Sequence, residues 1–201
     1  MNKILVLYPP QFNCYSKFSR KVTNIISSLG DAILVYPSDP NGLIAKLCVE
    51  YSEKMSIKEL ANWIPNDITH AIIFDDGEEF KEETATLELS GKPMRVIKVL
   101  ITRVINIKAE PKYKSEKSTP SYEYIGRGSY WGNPYSIYEE GNDREEVIRK
   151  YKYDFDFEKF LNIDKDEVYK LAGKRLGCFC KPQTCHGDVL ADFLNSWDDG
   201  K

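Results

Sequence analysis

No run in these 201 residues approaches the roughly 18 apolar side chains that a membrane-spanning helix needs. The opening MNKILVLYPP is too short an apolar stretch for a secretory segment, and no cleavage-like sequence follows it. Both absences exclude a membrane partner and place the chain in the cytoplasm. Nor is there an excess of basic charge. Eleven Lys and Arg face thirteen Asp and Glu up to Lys98, 17 face 18 beyond it, and the formal net charge is −3. With no basic arm, the overall field gives no extended nucleic-acid surface. The five cysteines are odd in number and lack framework spacing, which excludes a disulfide scaffold and fits a reducing compartment. Cys14 and Cys48 stand alone and suit packing as small hydrophobes. The chain also lacks a Walker-type phosphate loop, a Ser-His-Asp order, internal repeats and low-complexity tracts.

What is present is enough apolar material, 42% of residues, to build one large domain or two small ones. The first hundred residues alternate strand and helix signals. KILVLY (3–8), DAILVYP, THAIIFDDG and GKPMRVIKV are short apolar runs of the kind expected for strands covered on both faces. Between them, Phe18, Val22, Ile25, Ile26 and Leu29 recur at helical spacing up to Gly30, and Leu43, Leu47 and Met55 mark a second helical stretch. SIKELANWIP predicts a short helix ended by Pro65, and an acidic helix is expected over 78–89. This order implies an α/β fold with a mostly parallel sheet, whose ligands gather beyond the carboxyl ends of the strands. Asp75 and Asp76 sit at that edge, open to two roles: contacts to sugar hydroxyls, or caps for the helix that follows. His70, just ahead of a strand, fits a structural role.

EPKYKSEKSTP (110–120) is polar, without apolar period, and predicts a surface loop or linker. A different pattern follows: strand candidates VINIK and YEYI, a glycine-rich loop, helical signals at 144–152 and 164–171, a strand in KRLGCFC, and an amphipathic helix in GDVLADFLNSW. Residues 1–100 and 101–201 are therefore expected to form separate domains.

The chemistry concentrates in two stretches. In GCFCKPQTCHGDVL, Cys178 and Cys180 share one strand face, and Cys185 and His186 reach the mouth of the last helix with Gly187 and Asp188 in its first turn. Cys178, Cys180, Cys185 and His186 have the right count for tetrahedral zinc, although adjacent Cys185 and His186 lack the usual gap between ligands. A cysteine at a helix N-terminus is instead suited to a reactive thiolate, and the Gly187 and Asp188 amides to an anion. A well-capped turn beside two core cysteines is the third reading. In IGRGSYWGNPY, Gly126 and Gly128 flank Arg127, whose guanidinium suits a phosphate or carboxylate. Ser129 follows, Trp131 offers a stacking face, and Asn133 before Pro134 is held extended with its amide turned sideways.

Taken together, YEYIGRGSYWGNPY, DREEVIRKY and GKRLGCFCKPQTCHGDVLADFL resemble the domain of unknown function 4326, a family frequent in phage and bacterial genomes, over about 104–197. THAIIFDDGEEFKEETATLELSGKPMRVIKV is similar to the closing strand–helix–strand of the SLOG superfamily of Rossmann-like nucleotide-binding domains, although the expected glycine-rich loop keeps only Gly42. The resemblance implies a Rossmann-like N-terminal domain, a second compact α/β domain, and a nucleotide-like small molecule as partner, in the host cytoplasm for a phage protein. The leading expectation is action on a sugar–base or sugar–phosphate linkage, with Cys185, His186 and Asp188 catalytic. Ligand contacts would come from Gly126, Arg127, Gly128, Ser129, Trp131, Asn133, Gly187, Asp75 and Asp76. No organic cofactor is expected. The alternatives are a non-catalytic sensor or sponge of a nucleotide signal in phage–host conflict, and a metal-stabilised interaction module.

Overall fold

Ile4, Leu5, Val6 and Leu7 are buried on both faces of their strand, so this strand lies at the centre of a sheet. In the computed structural model, which describes residues 1–201, it is β1 (Asn2–Leu7). It pairs in parallel with β2 (Ala32–Tyr36) on one side and β4 (His70–Asp75) on the other. β3 (Met55–Glu59) and β5 (Met94–Lys98) complete the edges in the order β3-β2-β1-β4-β5, all parallel. The crossovers carry α1 (Tyr15–Ile26), α2 (Leu43–Glu50) and α3 (Lys81–Leu89). Strand order reverses between β1 and β4, the position where such sheets open a crevice.

Two expectations fail here for identifiable reasons. The 56–65 segment is not a helix: Met55–Glu59 is an edge strand, and a short 3-10 turn follows at Pro65–Asp67. Ser56, Ile57, Lys58 and Glu59 are exposed, and pairing with the open edge of β2 overrides a weak helical preference. Met55 likewise opens that strand rather than closing α2. The acidic helix begins at Lys81, not Glu78, because Asp76 holds the Glu78 and Glu79 amides in a turn before it.

This first unit comprises Met1–Val99 together with Ser196–Lys201. The closing residues are bound by charge. Lys17, almost wholly buried on α1, pairs with Asp199 at 2.7 Å, and Arg20 pairs with Asp198 at 2.8 Å.

The second unit, Leu100–Asn195, has its own four-stranded sheet. β9 (Arg175–Cys178) runs parallel to β6 (Arg103–Asn106) and β8 (Tyr122–Tyr124) on its two sides, and β7 (Ser118–Thr119) joins β8 antiparallel. β7 falls in the segment expected to be a plain loop. The helices are α4 (Arg144–Asp156) and α5 (His186–Ser196), with a 3-10 helix at Lys165–Leu171. Their apolar faces enclose Ile125, Trp131, Tyr151, Phe155, Leu176, Leu190 and Leu194. Asn195 closes the end of α5, accepting from the Thr102 amide at 2.8 Å and donating to the Thr102 carbonyl at 3.0 Å. No helix of the chain is long and apolar enough to cross a membrane.

Burial pushes the Asp199 carboxyl up, but the Lys17 hydrogen bond and the Lys201 amide outweigh it, and the group lies below its usual value. A depressed carboxylate stabilises the fold above its unfolded pKa of roughly 4 and ceases to as pH falls through the folded value. Asp199→Asn is therefore expected to lower the unfolding free energy by about 1–3 kcal/mol near neutral pH. Urea titrations of the two proteins should converge as the pH is brought down toward roughly 3.

Candidate functional site

β9 delivers Leu176 and Cys178 into the core, and the chain then turns through Lys181–Thr184 before α5 begins at His186. The first turn of α5 lies tight against the residue that precedes the glycine loop. A Cβ on Gly187 would stand 2.4 Å from Ile125 Cδ1 and 3.2 Å from both Val104 methyls. Beside it, His186 Nε2 lies 2.7 Å from the Ile125 carbonyl. A carbonyl only accepts, so Nε2 carries the proton, and burial lowers the imidazole pKa toward the neutral form. The Tyr151 ring packs edge-on against His186 with centroids 5.0 Å apart. Asp188 caps its own helix, accepting the Cys185 amide at 2.9 Å, and pairs with Lys181 at 2.6 Å. The two motifs, some sixty residues apart, thus fold against each other.

They do not form one open pocket from the expected residues. Cys185 and His186 are 2% and 6% exposed. Arg127 is exposed and donates to the Tyr135 carbonyl at 3.4 Å. The Asn133 amide faces inward, donating to the Val147 carbonyl at 3.0 Å and accepting from the Tyr135 amide at 2.9 Å. Trp131 is a core residue, and Tyr151 donates its hydroxyl to the Trp131 carbonyl. Gly126 is buried at the start of a turn, its carbonyl accepting from the Ser129 amide, and Gly128 turns the chain at φ +83°.

Ser129 differs from these. Its hydroxyl is buried without a hydrogen-bond partner, and it lines a cavity of about 580 Å3. Tyr130, Gly132, Pro134, Tyr135, Asp154 and the 159–163 segment form the rest of the wall. Tyr135 donates its hydroxyl to Asp154, and that hydrogen bond, with burial adding to it, pushes the phenol up to about 12. Sequence reasoning missed Asp154 and Lys159, which sit in YKYDFDFEKF with no motif around them. Tyr135 was within reach, as the last letter of the quoted glycine loop.

The thiols converge. Cys178 Sγ lies 3.4 Å from Cys180 Sγ, and the sulfurs of Cys178, Cys180 and Cys185 all lie within 4.8 Å of one another. His186 is outside this group, its ring committed to Ile125, so the four-ligand set expected from sequence becomes three. The hydrogen bond from Cys185 is the main influence on Cys178, and it lowers that thiol to about 5. Cys185 is pushed well up because Cys178 holds its proton and burial adds to the effect. A protonated, buried Cys185 is a poor nucleophile.

At the carboxyl edge of the first sheet, Tyr8 donates its hydroxyl to Asp39, which also accepts the Ile44 and Ala45 amides at the start of α2. That helix end, the natural seat for a phosphate, is filled by the chain's own carboxylate. Asn41 holds the loop after β1 through the Pro10 and Phe12 carbonyls, and Phe12 stacks on Phe74 at 5.0 Å. Asp75 and Asp76 cap the turn after β4, accepting from Gly77 and from Glu78 and Glu79, each at 2.9 Å.

The model of the minimal SLOG domain matches residues 1–105. The chain belongs to the minimal SLOG family. Beyond its minimal SLOG part, residues 108–196 match the domain of unknown function DUF4326. An uncharacterised 12.4 kDa protein from the nrdA-td intergenic region of Enterobacteria phage T4 is 38% identical over 96 residues, covering 47% of this chain and 79% of the phage protein. No solved structure matches.

The contact of α5 with Ile125 is tight enough to test. Gly187→Ala is expected to destabilise the fold by about 1–3 kcal/mol, despite the better helix propensity of alanine, because Ile125 and Val104 are crowded at once. Ile125→Val introduced together with it should recover part of the loss in a double-mutant cycle of urea unfolding.

Proposed function

We propose that this protein binds a nucleotide derivative in the cavity beside the glycine loop and holds it unchanged, as a sensor or sponge of a nucleotide signal in phage–host conflict. The cavity carries this reading. At about 580 Å3 it falls within the roughly 300–1,000 Å3 of small-molecule sites. Its wall offers what a nucleotide needs: aromatic faces in Tyr130 and Phe160, a carboxylate in Asp154 for sugar hydroxyls, and the Lys159 ammonium for phosphate. The minimal SLOG membership supports a nucleotide as the ligand class, and the T4 relative supports the phage setting.

Cleavage of a sugar–base or sugar–phosphate linkage has weaker support. Proton transfer was expected from His186 or Asp188, with Cys185 as a nucleophile or polarising contact. The thiol and imidazole are buried, and the carboxylate is already shared between Lys181 and the Cys185 amide. A general acid or base needs hydrogen-bond reach to its substrate, and none of these three residues lines the cavity.

The test is to incubate the full chain with a nucleotide pool, remove unbound material, denature the protein and identify what is released by mass spectrometry. Unaltered nucleotide is expected. Lys159→Ala should weaken its retention by at least about tenfold, or about 1.4 kcal/mol, while Asp75→Asn leaves retention unchanged. Chemically altered product would favour turnover. A protein that retains no nucleotide would overturn the reading.

A further inference from the structure

We infer that Cys178, Cys180 and Cys185 form a zinc site in which three thiolates hold one Zn2+ and a water molecule or small anion takes the fourth position. This goes beyond nucleotide binding and does not rest on it.

The spacing of the sulfurs is the first support. Zinc–sulfur bonds of about 2.3 Å in a tetrahedron set sulfurs roughly 3.8 Å apart. The 3.4 Å between Cys178 and Cys180 and the 4.8 Å limit for the whole group bracket that value. Shifts of less than about 1 Å, within the reach of χ1 adjustments, would close the sulfurs onto one ion. The sequence objection to zinc was that neighbouring Cys185 and His186 would both have to ligate. It lapses because His186 faces Ile125 instead.

The second support is what surrounds the sulfurs. The Gly187 amide donates to Cys185 Sγ at 3.3 Å. Arg144, the first residue of α4, donates to the Thr184 carbonyl at 3.2 Å, one residue before Cys185, and its charge favours the Cys180 thiolate. Amide N–H groups and a guanidinium turned toward sulfur stabilise thiolates and orient metal ligands. Three thiolates on Zn2+ carry one net negative charge, which Arg144 offsets.

Cysteines buried only as small hydrophobes call for apolar neighbours, not for converging donors. Sulfur also selects the metal: a three-thiolate set disfavours Mg2+ and Ca2+, which take oxygen ligands. Cys180 is the one sulfur of the three that is not buried, so the ion enters past it. On binding, each remaining thiol proton is released to solvent as its sulfur takes the metal.

The experiment uses the full chain, reduced, equilibrated with Zn2+ alone and gel-filtered, with metal measured by plasma mass spectrometry. About one zinc per chain is expected, unchanged in Cys48→Ser and reduced at least fivefold in Cys180→Ser. Near-UV circular dichroism checks that the Cys180→Ser protein is folded. Should that variant not fold, the metal-free full chain is titrated with Co2+, where intense sulfur-to-cobalt charge-transfer absorption saturating at one equivalent supports the site. Three results would each overturn it: folded full chain holding no zinc while all three thiols react equally fast with and without Zn2+, undiminished zinc in folded Cys180→Ser, or no thiolate–cobalt absorption. Stoichiometric copper retained in preference to added zinc overturns the choice of metal.

Discussion

The contact between the start of α5 and Ile125 is the constraint on which the second unit depends. Gly187 is the one residue type whose backbone fits that close to the Ile125 and Val104 side chains. The approach brings the His186 ring within 2.7 Å of the Ile125 carbonyl, which would otherwise be a buried acceptor. Two motifs far apart in the chain become one construction by this means. The strand–turn–helix gathers three sulfurs, and the glycine loop that follows Ile125 brings Ser129 to a cavity wall. Residues that attract notice in the sequence as reactive, Cys185 and His186 above all, spend their polar groups on holding this arrangement.

The first unit applies the same economy to a different frame. Its parallel sheet reverses order between β1 and β4, the arrangement that elsewhere opens a ligand crevice. Here Tyr8, Asp39 and Asn41 tie the loops after β1 and β2 together, and Phe12 lies against Phe74 and Tyr8. Acidic side chains at this edge cap helices and turns. A frame can keep the strand order of a nucleotide-binding fold while using the groups at its rim for its own backbone.

Strands buried on both faces were legible in the sequence because burial leaves a continuous apolar run, and β1, β2 and β4 all carry one. Met55–Glu59 was misread because an edge strand with four exposed residues carries no period-two pattern, and only its pairing with β2 defines it. The Cys-His turn was legible as a place but not as a geometry. Spacing alone does not say that His186 turns away while Cys178, Cys180 and Cys185 converge, since the Ile125 carbonyl that draws the ring off lies some sixty residues upstream. Asp154 and Lys159 gave no signal, because the cavity they help to line exists only once α4 and the segment after it have packed. Asp75 and Asp76 offered two equal readings, and in the structure both accept amides of the turn that follows β4.

The return of Ser196–Lys201 to the first unit carries a consequence for anyone who would dissect the chain. A fragment ending at residue 105, where the match to the minimal SLOG family ends, leaves the Lys17 ammonium in the interior with its counter-charge cut away. The first unit is defined by electrostatics as much as by homology, through the carboxylates of Asp198 and Asp199.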